Sequence, residues 1–220
     1  KLVSAHSFGG IYALEALWDK LGLKESILDR LRKTKHSAPL ERALFLMVAN
    51  RCLAPSSKLY CFEQWMAEEI YFPEADKLQL HHFYRALDFL EECKADLEKT
   101  VFFKVADLFN TDVELIFYDT TSVHFEVDDE DEEGEDQLRL RGHSKNGRSD
   151  APQMIVGLAM TRDGLPVRSW VFAGNTVDSS TVKQVKADLR EWNLTRCVFV
   201  GDAGMVSEEN LRELSLGGGR

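Results

Sequence analysis

The chain has 220 residues, of which 44% are hydrophobic and 29% charged, enough for one large core or two small ones and typical of a globular protein. No apolar run approaches the ~18 residues of a membrane span, and the opening Lys1-Leu2-Val3-Ser4-Ala5-His6 has no signal-peptide layout. A formal net charge of −10 argues against a uniformly basic nucleic-acid-binding surface.

From residue 11 to about residue 110 the pattern is helical. Leu14, Leu17, Leu21 and Leu23 lie near helical spacing, and Ser26 is expected to cap a helix through Ile27, Leu28 and Leu31. Residues 39–49 form a strongly apolar helix ending near Pro55, and another runs through Phe62 and Trp65 to Pro73. Two further helices, 80–90 and 95–109, complete a helical half, residues 1–112. The Met, Phe and Trp side chains at these spacings read as core. His81-His82 reads as a surface or capping feature. The absent initiator Met points to a start within a longer chain. Cysteines at 52, 61, 93 and 197 form no CxxC pair, which predicts reduced, mostly buried thiols in a cytoplasmic protein and no structural zinc.

At Val113 the period changes. Residues 113–125 are β-branched and aromatic and predict a long strand. Residues 126–136 hold nine acidic side chains and no basic one. They read as a solvated, disordered hairpin loop, with DNA mimicry or damping of non-specific binding as the alternative. Without those nine, 28 acidic residues face 27 basic ones, so the negative charge is local and a basic face elsewhere stays open. Strands are predicted at 154–160 and 167–172, joined by a tight turn at Asp163-Gly164, then a helix over 181–192. A short apolar strand of the buried parallel kind follows at 197–201, then a helix capped by Ser207. The fold class is therefore α/β: a helical N-terminal half, then over residues 113–220 a mixed sheet in which a meander, a crossover helix and a parallel fourth strand form a partial ribonuclease-H-like domain.

Two carboxylates stand out by position. Asp119 lies within an apolar strand and Asp202 directly after one. Burial there costs several kcal/mol unless the carboxylate is paired or binds metal. If the first and fourth strands are neighbours, the two meet at one rim and suit Mg²⁺, which takes one or two carboxylates, waters and phosphate oxygens. The competing reading makes Asp119 a turn cap and Asp202 the cap of the last helix.

Phe117-Tyr118-Asp119-Thr120-Thr121 resembles the first catalytic motif of DDE-type insertion-sequence transposases of the Asp-Thr-Thr branch, and Val200-Gly201-Asp202-Ala203-Gly204-Met205 resembles their second. The polar loop 141–150 and Gly174-Asn175-Thr176 with Asp178 are similar to intervening segments of that family, and the likeness covers most of the chain from about residue 40. It implies a DNA transposase that cleaves transposon ends and transfers strands, with Asp119 and Asp202 as ligands of Mg²⁺ or Mn²⁺, two ions in all. DNA, with a possible homodimer, would be the partner, and a membrane would not. Lys145, Arg148 and, more weakly, Arg141 are candidate phosphate contacts; the alternative is that they balance the acidic run. The family's third ligand, a Glu on a later helix, has no counterpart here, because Glu208, Glu209 and Glu213 follow Asp202 too closely. The chain is thus expected to be truncated and inactive alone. A non-catalytic DNA-binding or dimerisation remnant is the second reading. A haloacid-dehalogenase-like phosphatase is the third, and it lacks the acid it needs where Thr121 stands.

Overall fold

The computed structural model of the chain describes residues 4–34, 38–108, 115–134, 137–143, 147–192, 198–205 and 207–215. Two compact units divide it, Lys1–Phe109 and Asn110–Arg220.

The first unit is helical: α1 (Gly9–Lys20), α2 (Leu23–Leu31), α3 (Leu40–Leu53), a short α4 (Lys58–Tyr60) and α5 (Leu80–Leu108). Helix α3 is its centre, since Leu40, Ala43, Leu44, Phe45, Leu46 and Ala49 are buried around the whole helix, the pattern of a helix enclosed by others. Trp18 packs edge-on against Phe45, and Phe45 stacks on Phe72. One charged network lies inside: Glu41, buried, accepts the Trp18 indole N–H at 2.8 Å and pairs with Arg42, which also reaches Glu15 at 2.7 Å. Burial lowers the Arg42 pKa, but the bonds to Glu41 and Glu15 outweigh it and hold the guanidinium above its ordinary value.

Four local expectations are corrected. Ser26 does not cap α2. The helix begins at Leu23 behind Gly22, whose φ of 69° suits glycine, and the Ser26 hydroxyl bonds back to the Gly22 carbonyl at 2.7 Å. The two helices foreseen over 80–109 are one, because Glu91-Glu92-Cys93-Lys94 supplies no apolar stripe but contains no glycine or proline to stop a helix. The segment after α4, Cys61–Glu69, is π-helical, a rare conformation. His82 does act as a cap: its Nδ1 accepts the Gln79 N–H at 3.1 Å. The thiols are less buried than expected, for Cys61 is buried, Cys93 half-buried and Cys52 exposed. Cys197 lies outside the described residues.

The second unit holds β1 (Leu115–His124), β2 (Gln153–Thr161), β3 (Pro166–Ala173), α6 (Asp178–Glu191), β4 (Val198–Gly201) and α7 (Glu208–Ser215). The sheet order is β3-β2-β1-β4, with β1–β2 and β2–β3 antiparallel and β1–β4 parallel. This is the meander, crossover helix and parallel return that the element order called for. Gly164, at φ 80°, makes the β2–β3 turn possible. Along β1, Ile116, Tyr118, Thr120 and Ser122 are buried, while Phe117, Asp119, Thr121 and Val123 are exposed. Helix α6 covers the buried face. Tyr118 bonds to Thr181, the Trp170 indole N–H reaches Asp188 at 2.7 Å, and Val182, Val185 and Leu189 complete the layer.

Two expectations fail in this unit. β4 is parallel but not enclosed: it ends the sheet, and Val198 and Val200 are exposed. The acidic run is solvated as expected and has no helix or strand over its described part, but it is tied down rather than free. The Asp131 carboxylate accepts the N–H groups of Leu138 and Arg139, at 3.1 and 2.8 Å. Leu140 exchanges two backbone bonds with Gln153, and Gly174 donates to Leu138. Residues 138–143 therefore rest against Gln153 at the start of β2 and Gly174 just after β3.

Candidate metal and phosphate site

Strand pairing decides whether the two aspartates meet. β1 and β4 run parallel in the register Leu115↔Val198, Ile116↔Phe199, Phe117↔Val200 and Tyr118↔Gly201. The next position in each strand is Asp119 and Asp202. They leave adjacent strands at one level, from an interstrand spacing of about 4.8 Å. Asp119 projects on the exposed face of the sheet, opposite Tyr118, and Asp202 is exposed as well.

That exposure corrects one premise. The carboxylates are not in a low-dielectric interior, so desolvation does not by itself demand a cation. Alternation explains why: Phe117, Asp119, Thr121 and Val123 share the face that α6 leaves uncovered, so an apolar run contains one solvated carboxylate. What remains is their shared register level at the ends of neighbouring strands. Each aspartate also bonds its own turn: Asp119 Oδ1 accepts the Thr120 N–H at 2.7 Å, and Asp202 Oδ1 accepts the Ala203 N–H at 2.6 Å. The cap of α7 is instead Ser207, whose hydroxyl accepts the Asn210 N–H, so Asp202 is not spent as that helix's cap.

Behind Asp119 the strand is fastened to α6. The Thr120 hydroxyl donates to Asp178 Oδ1 at 2.6 Å, and Thr181 takes the Tyr118 hydroxyl at 2.9 Å while donating to the Asp178 carbonyl at 2.7 Å. Burial, with a smaller push from Asp178 and Asp119, raises the Tyr118 pKa to about 12 against the opposing bond to Thr181, so Tyr118 stays protonated as a donor. This supporting role was missed in the residue pattern. Its one visible signal was Asp178 itself, in the loop ahead of the helix predicted over 181–192.

The candidate phosphate contacts are not idle. Arg148 reaches Glu126 at 3.1 Å and Asp150 at 3.1 Å; its bonds to Asp150 and then Glu126 raise its pKa and depress both carboxylates. The Arg141 guanidinium donates to the carbonyls of Asp128 and Asp150, and its backbone N–H donates to the Glu130 carboxylate. Arg139, not singled out beforehand, pairs with Asp131 at 2.6 Å. Lys145 lies outside the described residues.

Two exposed carboxylates at one register level fit Mg²⁺ or Mn²⁺, ions that complete their shells with water and phosphate oxygens. Among the described residues no group of three or more His, Cys, Asp or Glu side chains could hold a metal. Asp202 also borders a depression of about 260 Å³ walled by Val182, Phe199, Met205 and Leu214. Among the described residues no helix is long and apolar enough to cross a membrane. No family model, curated protein or solved structure matches the chain.

Proposed function

We propose that the chain belongs to a DDE-type transposase, with a ribonuclease-H-like sheet that presents Asp119 and Asp202 to divalent metal and DNA phosphate. The observation that supports this reading is the register: the positions directly after Tyr118↔Gly201 are the two aspartates of the two recognised motifs. A bound Mg²⁺ or Mn²⁺ would supply charge for phosphate oxygens and an activated water. Asp119 and Asp202 would hold it, Thr120 and Asp178 would fix the backbone beneath Asp119, and Arg141, Lys145 and Arg148 would contact the DNA backbone. Metal-dependent cleavage of transposon ends and strand transfer is the reaction class of the whole protein.

The test is metal binding followed by nicking. Mn²⁺ titration read by water-proton relaxation should show a site that Asp119→Ala and Asp202→Ala each weaken roughly tenfold or more. In a protein that carries the third acid, the same substitutions should abolish Mg²⁺- or Mn²⁺-dependent nicking of terminal-repeat DNA. Unchanged Mn²⁺ affinity in either variant overturns the ligand assignment.

A second reading is a non-catalytic DNA-binding or dimerisation module. It is favoured by the helical residues forming a compact unit of their own, Lys1–Phe109. In that case residues 1–110 carry selective binding to terminal-repeat duplex, with a steep salt dependence, and a gel-shift series that finds no preference over random duplex removes it.

A further inference from the structure

The acidic run and the basic loop are partners. Glu126 follows β1 by two residues, and its two carboxylate oxygens face Arg148 Nη1 at 3.1 Å and Nη2 at 3.4 Å. On the other edge of the same guanidinium, Asp150 takes Nε at 3.1 Å and Nη2 at 3.2 Å. Arg148 is thus held by two carboxylates in the two-pronged manner in which arginine grips a phosphate. Further along, Asp131 accepts from Arg139 Nε at 2.6 Å and from two backbone N–H groups, a cradle of donors of the kind that receives an anion. By contrast, Asp129, Glu132 and Glu133 are exposed and make no ion pair with an arginine among the described residues.

We infer that the acidic segment is an intramolecular stand-in for the DNA backbone: Glu126, with Asp150, occupies Arg148 until phosphate displaces it, and Asp131 does the same at Arg139. This rests on the DNA-binding reading above and adds regulation of that same surface. The Arg148 pairs are solvent-accessible, with the Arg148, Glu126 and Asp150 side chains 42%, 82% and 69% exposed, so each is weak and exchangeable. A densely charged duplex can outcompete it, whereas an isolated anion gains little. The consequence is discrimination: non-specific, weak contacts are suppressed and extended phosphate arrays are admitted.

The experiment compares the full chain with Glu126→Gln/Asp150→Asn, and with Asp129→Asn/Glu132→Gln, which removes equal charge from the same surface without releasing an arginine. Binding to a fluorescein-labelled random-sequence duplex is read by anisotropy across a sodium chloride series, with circular dichroism confirming that each protein is folded. The first variant should bind about three- to tenfold more tightly, as expected for releasing two exposed ion pairs, and its salt slope should steepen by roughly one. Adding Arg148→Ala to it should cancel the gain. Equal tightening in both charge variants, or a gain that survives loss of Arg148, reduces the effect to bulk charge and overturns the latch. Unchanged binding in Glu126→Gln/Asp150→Asn also overturns the latch while leaving the DNA reading standing. No binding by any of the proteins overturns the DNA reading, and the latch falls with it.

Discussion

Thr120 Oγ1 donates to Asp178 Oδ1 at 2.6 Å, fastening the residue after Asp119 to the first residue of α6. A hydrogen bond to a charged partner contributes about 1.5–3 kcal/mol when one end is buried, and Thr120 is buried. Thr120→Val should therefore destabilise the chain by about that amount in urea denaturation. Thr120→Ser keeps the bond, loses one methyl and should cost under about 1.5 kcal/mol. If the bond also fixes Asp119, Mn²⁺ affinity should fall in the Val variant and recover in the Ser variant. Equal stability of the two variants would show that the hydroxyl is not engaged.

Much of the sheet could be read from residue order because its determinants are local. β1 alternates branched and aromatic residues between turn signals, and Asp163-Gly164 fixes the β2–β3 connection. What could not be read was non-local. An apolar stretch around Asp119 looks the same whether both faces are covered or one, so only the placement of α6 reveals that Asp119 is solvated. Composition made residues 126–136 look unstructured, since nine acids repel one another. The two backbone N–H groups and the arginine that receive Asp131 come from residues 138–139, beyond any window centred on the run. The Asp119–Asp202 juxtaposition followed from topology, but the Thr120–Asp178 tie beneath it did not.

Gly174 marks the closest approach of the folded-back arm to the sheet. A Cβ there would lie 2.0 Å from the Gln153 carbonyl oxygen and 2.1 Å from that of Leu140. Both oxygens are already fixed, since Leu140 and Gln153 exchange backbone bonds. Gly174→Ala should cost about 1–3 kcal/mol or more by overpacking and should speed hydrogen exchange at the Leu140 amide. Gly134→Ala is the control, because the nearest atom to its Cβ would be 3.9 Å away. Wild-type exchange at Leu140 in the Gly174 variant would mean that the arm does not rest on β2.

The latch carboxylates also set a pH response. Arg148 depresses the pKa of Glu126 and of Asp150, and the backbone and side-chain donors of Arg139 depress that of Asp131. A group whose pKa is lower folded than unfolded contributes stability above its unfolded value, near 4 for these acids, and loses it as pH falls through the folded value. The arm should therefore remain closed through the ordinary carboxylate range and release only at lower pH. Carboxyl-carbon titration by NMR should give midpoints below ordinary values for all three, and the Leu138 and Arg139 amide shifts should follow Asp131. Midpoints at or above the ordinary values would mean that the pairs do not persist in solution.

Cys61 and Cys52 offer a chemical check on the helical unit. Burial pushes the Cys61 thiol up to about 11, with the charge of Arg51 acting weakly against it. At pH 8 only about one Cys61 in a thousand would be a thiolate, and the thiolate is the reactive form. Cys52, nine residues earlier near the end of α3, is exposed. Burial, the largest influence on Cys93, raises its pKa as well. Iodoacetamide at pH 8, followed by peptide mass spectrometry, should therefore modify Cys52 first and Cys93 later. Cys61 should react at the rate of global unfolding and become prompt in urea. Because Cys61 opens the π-helical segment against α3, prompt alkylation without denaturant would show that this segment does not pack as described.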